Sequence, residues 1–454
     1  MMNESDVRRY YAAPAVRERM WDFLGGKGSS ATSVFITPCE DPYGDGPPIS
    51  SPSSLNFFLG NGLEVGRSLW DMRNLIVHLD IEYVNFDFPA EPYLDPLRTF
   101  RLQRPVFEAT RTLLSSFGIQ PLFLLSGRGF HAVWRVDMEH HGVARAVSLG
   151  HVDDEVLAYY AQQRGPGGQR VGRKLALAHS ALGLVMEYLA HRLIETAAEN
   201  TAVPLEITAL EVPPGERGRE LISLDISEYG DPLNMRMIRV PFSVYLKPWR
   251  KPGVLPNGKV TKIPTMVLAP IEGGDLADAV PAMRNTVIGR KLADRVSTTI
   301  PECGDGTTML IETYDQSPLA LFHKRYYHER HHPPAQWPAS YDRIDLRTLP
   351  AAVAESLRTP NDHLLKPAGI RRLVRCLLSR GWHPRHVAGL LRSKYERDYG
   401  WGNLWYAYNA ATRADFYVRL FAGLIDAGLD EDDEKNEDKS FRQLEHAAPF
   451  GRIP

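Results

Sequence analysis

His78, Asp80 and Glu82 alternate with Val77, Leu79 and Ile81 in the run Leu-Ile-Val-His-Leu-Asp-Ile-Glu at 75–82. Side chains of an extended strand point to opposite faces with period two, so the three apolar residues share one face and the three polar ones the other. Two carboxylates at adjacent same-side positions can converge on one hard divalent cation, which takes oxygen ligands. A second stretch, 123–134, holds an apolar run, the turn Ser126-Gly127-Arg128-Gly129 and a further strand that places His131 close to the turn. Glycines in such a turn let backbone amides approach an anion, and Arg128 and His131 supply further donors. Taken singly, an Asp-x-Glu is most often a solvated sheet face and a Ser-Gly-Arg-Gly an ordinary hairpin turn. Together, an acid pair for a metal beside an anion-binding turn is equipment for phosphoryl or nucleotidyl transfer.

The elements that must position these groups follow from periodicity. The first strand falls within 71–88, a helix is expected over 103–118, and a hairpin over 121–136. Residues 5–25 read as one amphipathic helix and 38–56, rich in Pro, Gly, Ser and Asp, as a loop. Gly165-Pro166-Gly167-Gly168, flanked by Arg164 and Arg170, reads as a mobile loop. Residues 173–199 are strongly helical, with Leu177, Leu182, Val185, Met186, Leu189 and Leu193 on the buried face. Alternation returns over 220–227, where Ser223, Asp225 and Ser227 share the polar side of a strand. After a turn at Gly230-Asp231-Pro232 comes a cationic, strand-like stretch from Arg236 to Lys247. Strands alternating with helices predict an α/β or α+β first domain over 1–270. Residues 271–360 read as a linker or accessory region, 361–428 as a small all-α domain, and 429–454 as an acidic, disordered tail.

Composition sets the limits. The 454 residues suffice for two or three domains, and 43% hydrophobic with 24% charged residues is ordinary for a globular chain. A net charge of −2 means that any contact with nucleic acid must come from local patches. Three widely separated cysteines, Cys39, Cys303 and Cys376, form no Cys-x-x-Cys pair, which argues against a zinc ribbon or a disulfide framework. That usage suits a reducing cytoplasm. Asp6, Arg8 and Arg9 with no apolar core behind them predict no signal peptide, and no run of about 18 apolar residues predicts a spanning helix.

Four of these motifs, in this order, resemble the archaeo-eukaryotic primase superfamily, the primase-polymerases related to the small catalytic primase subunit. They are Leu79-Asp80-Ile81-Glu82, Ser126-Gly127-Arg128-Gly129-Phe130-His131, Leu224-Asp225, and Arg236-Met-Ile-Arg239-Val-Pro241-Phe-Ser243-Val-Tyr245-Leu-Lys247. The resemblance covers roughly 70–250 and implies an α+β, mixed-sheet primase-polymerase core followed by a small all-α domain. It implies two Mg²⁺ or Mn²⁺ ions on Asp80, Glu82 and Asp225, with Asp231 a rival for the third position; clean alternation favours Asp225. Ser126, Arg128 and His131 would hold the phosphates of an incoming NTP or dNTP, and Arg236, Arg239 and Lys247 would add positive charge. Single-stranded DNA template and a primer strand are the implied partners, with a helicase or other replication proteins beyond them. Two departures stand out: the chain lacks the cysteines of the zinc-binding insertion found in many relatives, and Tyr245 stands where a His is common. Two other readings stay open: a metal-dependent nuclease or phosphohydrolase using Asp80, Glu82 and His131, and a non-catalytic nucleic-acid-binding relative.

Two further clusters carry weaker signals. Cys303 with His323, His328, His331 and His332 has the ligand types of a zinc site but no recognised spacing, so a solvated or phosphate-contacting loop is the better expectation. Trp401, Trp405, Tyr406 and Tyr408 with Arg397 have the composition of a base-stacking surface, though helix packing is expected first.

Overall fold

The structure, a computed structural model, describes residues 4–36, 49–162, 172–234, 236–246, 267–268, 276–361, 364, 366–396 and 409–430. Ten strands are described: β1 (Ala31–Ile36), β2 (Ile49–Ser50), β3 (Glu64–Asp71), β4 (Asn74–Asn85), β5 (Leu122–Leu125), β6 (Gly129–Asp137), β7 (Leu205–Ile207), β8 (Glu220–Asp225), β9 (Met237–Arg239) and β10 (Val267–Leu268). Six of them form a sheet in the order β10-β5-β6-β4-β8-β7, and the other four a sheet in the order β2-β1-β3-β9. The larger sheet is mixed, because β7 runs parallel to β8 while β4, β5 and β6 pair antiparallel. With helices against it, the architecture is mixed α and β.

The alternation of β4 explains how the sheets are used. Val77, Leu79 and Ile81 are buried in the core shared with helix Pro96–Ser116 and helix Arg173–Ala197. On the opposite face, Ile76 joins a second apolar cluster with Val65, Leu69 and Ile238 of the smaller sheet. The same face continues into His78, Asp80 and Glu82, where apolar packing gives way to a polar cleft between the two sheets. One strand thus closes the core on one side and lines the cleft on the other.

Several boundaries differ from expectation. The segment 5–25 forms two helices, Glu4–Tyr11 and Pro14–Leu24, because Pro14 suits a first helical position and not an interior one. The helix expected over 103–118 starts at Pro96 and carries Pro105 internally. The cationic stretch is a strand only over Met237–Arg239 and pairs with β3, outside the sheet that carries the acids. Pro241 has no N–H to continue a ladder, and Phe242 adopts a left-handed φ of 65°. Tyr11 ties this irregular segment down, its hydroxyl accepting from Val244 N and donating to Leu63 O, both at 2.9 Å.

Helices Pro367–Leu378, Pro384–Tyr395 and Ala410–Asp426 follow in the region expected to be all-α. Their core is continuous with that of the sheet: Leu79, Leu182, Leu310, Leu390 and Phe421 belong to one apolar cluster. Glu187, fully buried in helix Arg173–Ala197, accepts from His323 at 3.0 Å and from Arg419 Nε at 3.1 Å. His323 is therefore an interior residue of helix Pro318–His328, not part of a solvated or phosphate-contacting loop, and Cys303 joins no group of potential metal ligands among the described residues. Asp430, at the start of the expected tail, pairs with Arg371 and Arg375. The glycine-rich 165–168 loop, the Trp401–Tyr408 aromatics and Lys247 lie outside the described residues. No described helix is long and apolar enough to cross a membrane.

Gly129 shows how tightly β4 and β6 are pressed together at the turn. A Cβ there would sit 1.8 Å from the Ile81 carbonyl oxygen, a backbone atom that cannot give way. Gly129→Ala should therefore cost about 2 kcal/mol or more, as overpacking does, read as a lowered urea midpoint. An unchanged midpoint would contradict this register.

Candidate active site

The ladder brings the acids together. Asp80 sits opposite Asp225 on β8 and opposite His131 on β6. Oxygen atoms of Asp80, Glu82 and Asp225 all lie within 4.8 Å of one another, close enough to hold a metal ion. Asp231, the rival, stands apart: it is buried, takes a hydrogen bond from Tyr160 and lines a separate small cavity with Arg236. The main cleft, of about 270 Å³, is lined by Asp80, Glu82, Asp225, Ser126, Arg128, His131 and Arg239. Of the expected phosphate-binding side chains, four thus share one space with the acids, and Arg236 lies next door.

Asp80 bears the electrostatic load. Burial, followed by the charges of Glu82, Asp225 and Glu228, pushes its carboxyl well above the usual carboxylate range, against a smaller opposing pull from Arg128. Its Oδ1 is buried without a hydrogen bond; His131 Nε2 lies 3.3 Å away but is poorly aligned. An orphaned carboxylate oxygen among repelling carboxylates fits a hard cation, which would satisfy the lone pair and offset the charge together.

The anion-binding half differs from the simple expectation. In the turn, Ser126 Oγ accepts from Gly129 N at 3.0 Å and Arg128 N at 3.4 Å, so those two amides are turned inward. The cleft is served by side chains instead. Arg128 forms a two-pronged pair with Glu82, Nε donating to Oε1 at 3.0 Å and Nη2 to Oε2. Burial, the largest single influence, works against its charge, but Glu82, Tyr245 and Tyr93 together raise its pKa. Gly127 lacks a side chain because Tyr245 packs there; a Cβ would meet its ring at 2.6 Å.

Sequence reasoning missed Glu64 and Glu228 and gave Tyr245 no role of its own. Glu64 is fully buried, pairs with Arg239 and accepts from Leu246 N at 2.8 Å. Arg239 in turn lies 4.1 Å above the Tyr245 ring. Nothing in the sequence around Glu64 signals this role, whereas Glu228 follows Asp225 closely enough to have been weighed. Two other groups have ligand-like spacing, Asp153 with His331 and Asp415, and His140 with His141 and Asp305. The first is already served by Arg385, 3.1 Å from Asp153 and 2.6 Å from Asp415.

Compared with known proteins, the chain matches no protein-family model and no curated sequence. The functional reading therefore rests on residues and geometry.

Proposed function

We propose that the chain is a template-directed nucleotidyltransferase, a primase-polymerase that joins NTPs or dNTPs on single-stranded DNA. The observation that carries this reading is the convergence in one cleft of three carboxylates with Arg128, His131 and Arg239. The motif order that resembles the archaeo-eukaryotic primase superfamily supports it. Asp80, Glu82 and Asp225 would hold Mg²⁺ or Mn²⁺, which when bound supplies hydroxyl activation and charge neutralisation for in-line attack on the α-phosphorus. Arg128 and Arg239 bind phosphate oxygens, and the fork of Arg128 can hold two at once. His131 contacts the phosphates from beside Asp80. Ser126 holds the turn that aims Arg128, and Glu64 with Tyr245 holds Arg239 at the far wall. Pyrophosphate leaves toward the arginines, where the growing charge is stabilised most.

The 3.3 Å approach of His131 Nε2 to Asp80 also suits a phosphohydrolase in which His131 serves the metal or a water. One experiment separates the two. Single-stranded template, labelled NTPs or dNTPs and Mn²⁺ are incubated with the protein and run on a denaturing gel. A template-dependent ladder is expected; release of labelled phosphate or cut template without a ladder would sink the transferase reading.

A further inference from the structure

Glu228 is a half-buried carboxylate on the cleft for which the proposed transfer has no use. It lies in the short 3-10 turn Ser227–Tyr229, directly after β8 delivers Asp225. Both of its oxygens lie 2.8 Å from Nδ1 of His78. The next residue grips the same target by its main chain: the Tyr229 hydroxyl accepts from His78 N at 2.9 Å and donates to His78 O at 2.7 Å. His78 is only 3% exposed, and its Nε2 has no hydrogen bond. The ring of His78 meets that of His131 edge-on, with centroids 4.7 Å apart. Its place two residues before Asp80 makes His131 a diagonal cross-strand neighbour, within reach of an aromatic side chain.

A position that needed only bulk could be filled by a leucine. A half-buried carboxylate held against a buried imidazole carries a desolvation cost, and that cost is met where the orientation of a ring matters. We propose that Glu228 and His78 are positioning residues for His131: Glu228 fixes the plane of the His78 ring, and that ring sets the rotamer in which His131 faces the phosphates. This rests on the reading of His131 as a phosphate contact.

The test is a double-mutant cycle on nucleotide affinity, measured by calorimetry with Mn²⁺ present, together with steady-state KM and kcat and with Mn²⁺ affinity from electron paramagnetic resonance. Glu228→Ala should weaken nucleotide binding by about 10-fold, the lower range for a residue that orients another, with the loss in KM more than in kcat. Glu228→Gln should keep most of the affinity, because its amide oxygen still accepts from Nδ1. In a His131→Ala background, Glu228→Ala should cost nothing further. Mn²⁺ affinity should be the same in Glu228→Ala as in Glu228→Gln, since both remove the charge that bears on Asp80. His78→Asn, which keeps a donor toward Glu228 but removes the ring face, covers the case in which Glu228→Ala does not fold, and should show the same dependence on His131. Additive losses, a lower Mn²⁺ affinity in Glu228→Ala than in Glu228→Gln, or Glu228→Gln as damaging as Glu228→Ala would each overturn the proposal while leaving His131 as a phosphate contact. If His131→Ala alone leaves nucleotide affinity unchanged, the placement of the nucleotide fails and the positioning role fails with it.

Discussion

Asp80→Asn should abolish incorporation and, in the absence of divalent cations, make the protein more stable. The first effect should reach at least about 10²-fold in kcat, the scale of losing one group that stabilises transition-state charge. The second follows from the raised pKa of Asp80, caused first by burial and then by Glu82, Asp225 and Glu228. An acid that holds its proton more tightly when folded contributes stability that is complete below its unfolded pKa. That stability drains away as pH rises toward and through the folded pKa. The difference in Tm between Asp80→Asn and wild type should therefore be small at pH values below the ordinary 3.8 of an aspartate and grow with pH above it. By neutral pH it should amount to a few degrees in favour of the variant. Mn²⁺ should close the gap by stabilising wild type, by about 2.7 kcal/mol at a hundred times its Kd, and should leave the variant unmoved. A wild type whose Tm ignores Mn²⁺, or a variant that still incorporates nucleotides, would remove Asp80 from the metal site.

The strand that organises the site was legible because period-two alternation is a strong signal in a half-buried strand. Leu79 and Ile81 against Asp80 and Glu82 fixed both the core face and the cleft face of β4 before any pairing was known. Asp225 was distinguishable from Asp231 for the same reason: it ends a clean alternating run, whereas Asp231 sits in a turn. Long-range relations left no such trace. Glu64 lies far from Arg239 in sequence, and only the β3–β9 ladder brings them together. His78 shared the acidic face in plain view, yet its tie to Glu228 depends on a 3-10 turn that no local pattern announces. The glycine turn was partly misread, since Ser-Gly-Arg-Gly suggests open amides while Ser126 Oγ occupies two of them. The continuity of the core between sheet and C-terminal helices was likewise invisible, because a buried pair such as Glu187 and Arg419 joins segments that read separately as amphipathic helices.

Glu82→Gln should bind nucleotide more tightly than wild type when a chelator removes divalent cations. Arg128 spends two donors of its guanidinium on Glu82. A triphosphate that approaches Arg128 must displace that carboxylate and meets its negative charge as well. A cation that draws Glu82 into its own coordination sphere releases the fork, so cation and nucleotide should each favour the other, a reciprocal coupling expected at about 1–3 kcal/mol. A glutamine offers Arg128 one uncharged oxygen in place of two charged ones, so the two-pronged ion pair is lost, and the metal-free affinity of Glu82→Gln should rise by about 10-fold, or 1.4 kcal/mol. Simple loss of negative charge would also favour an anion, and the Arg128→Lys background separates the two causes. Lysine cannot grip two phosphate oxygens at once, so the gain from Glu82→Gln should shrink there if it comes from a freed fork and persist if it comes from net charge alone. With Mn²⁺ present the order reverses, since Glu82→Gln lacks a metal ligand and should lose incorporation. Isothermal calorimetry with a non-hydrolysable triphosphate, with and without Mn²⁺, reads all four variants of the cycle. Equal metal-free affinity in wild type and Glu82→Gln would mean that Arg128 does not meet the phosphates, and would return the triphosphate to the Arg239 wall of the cleft.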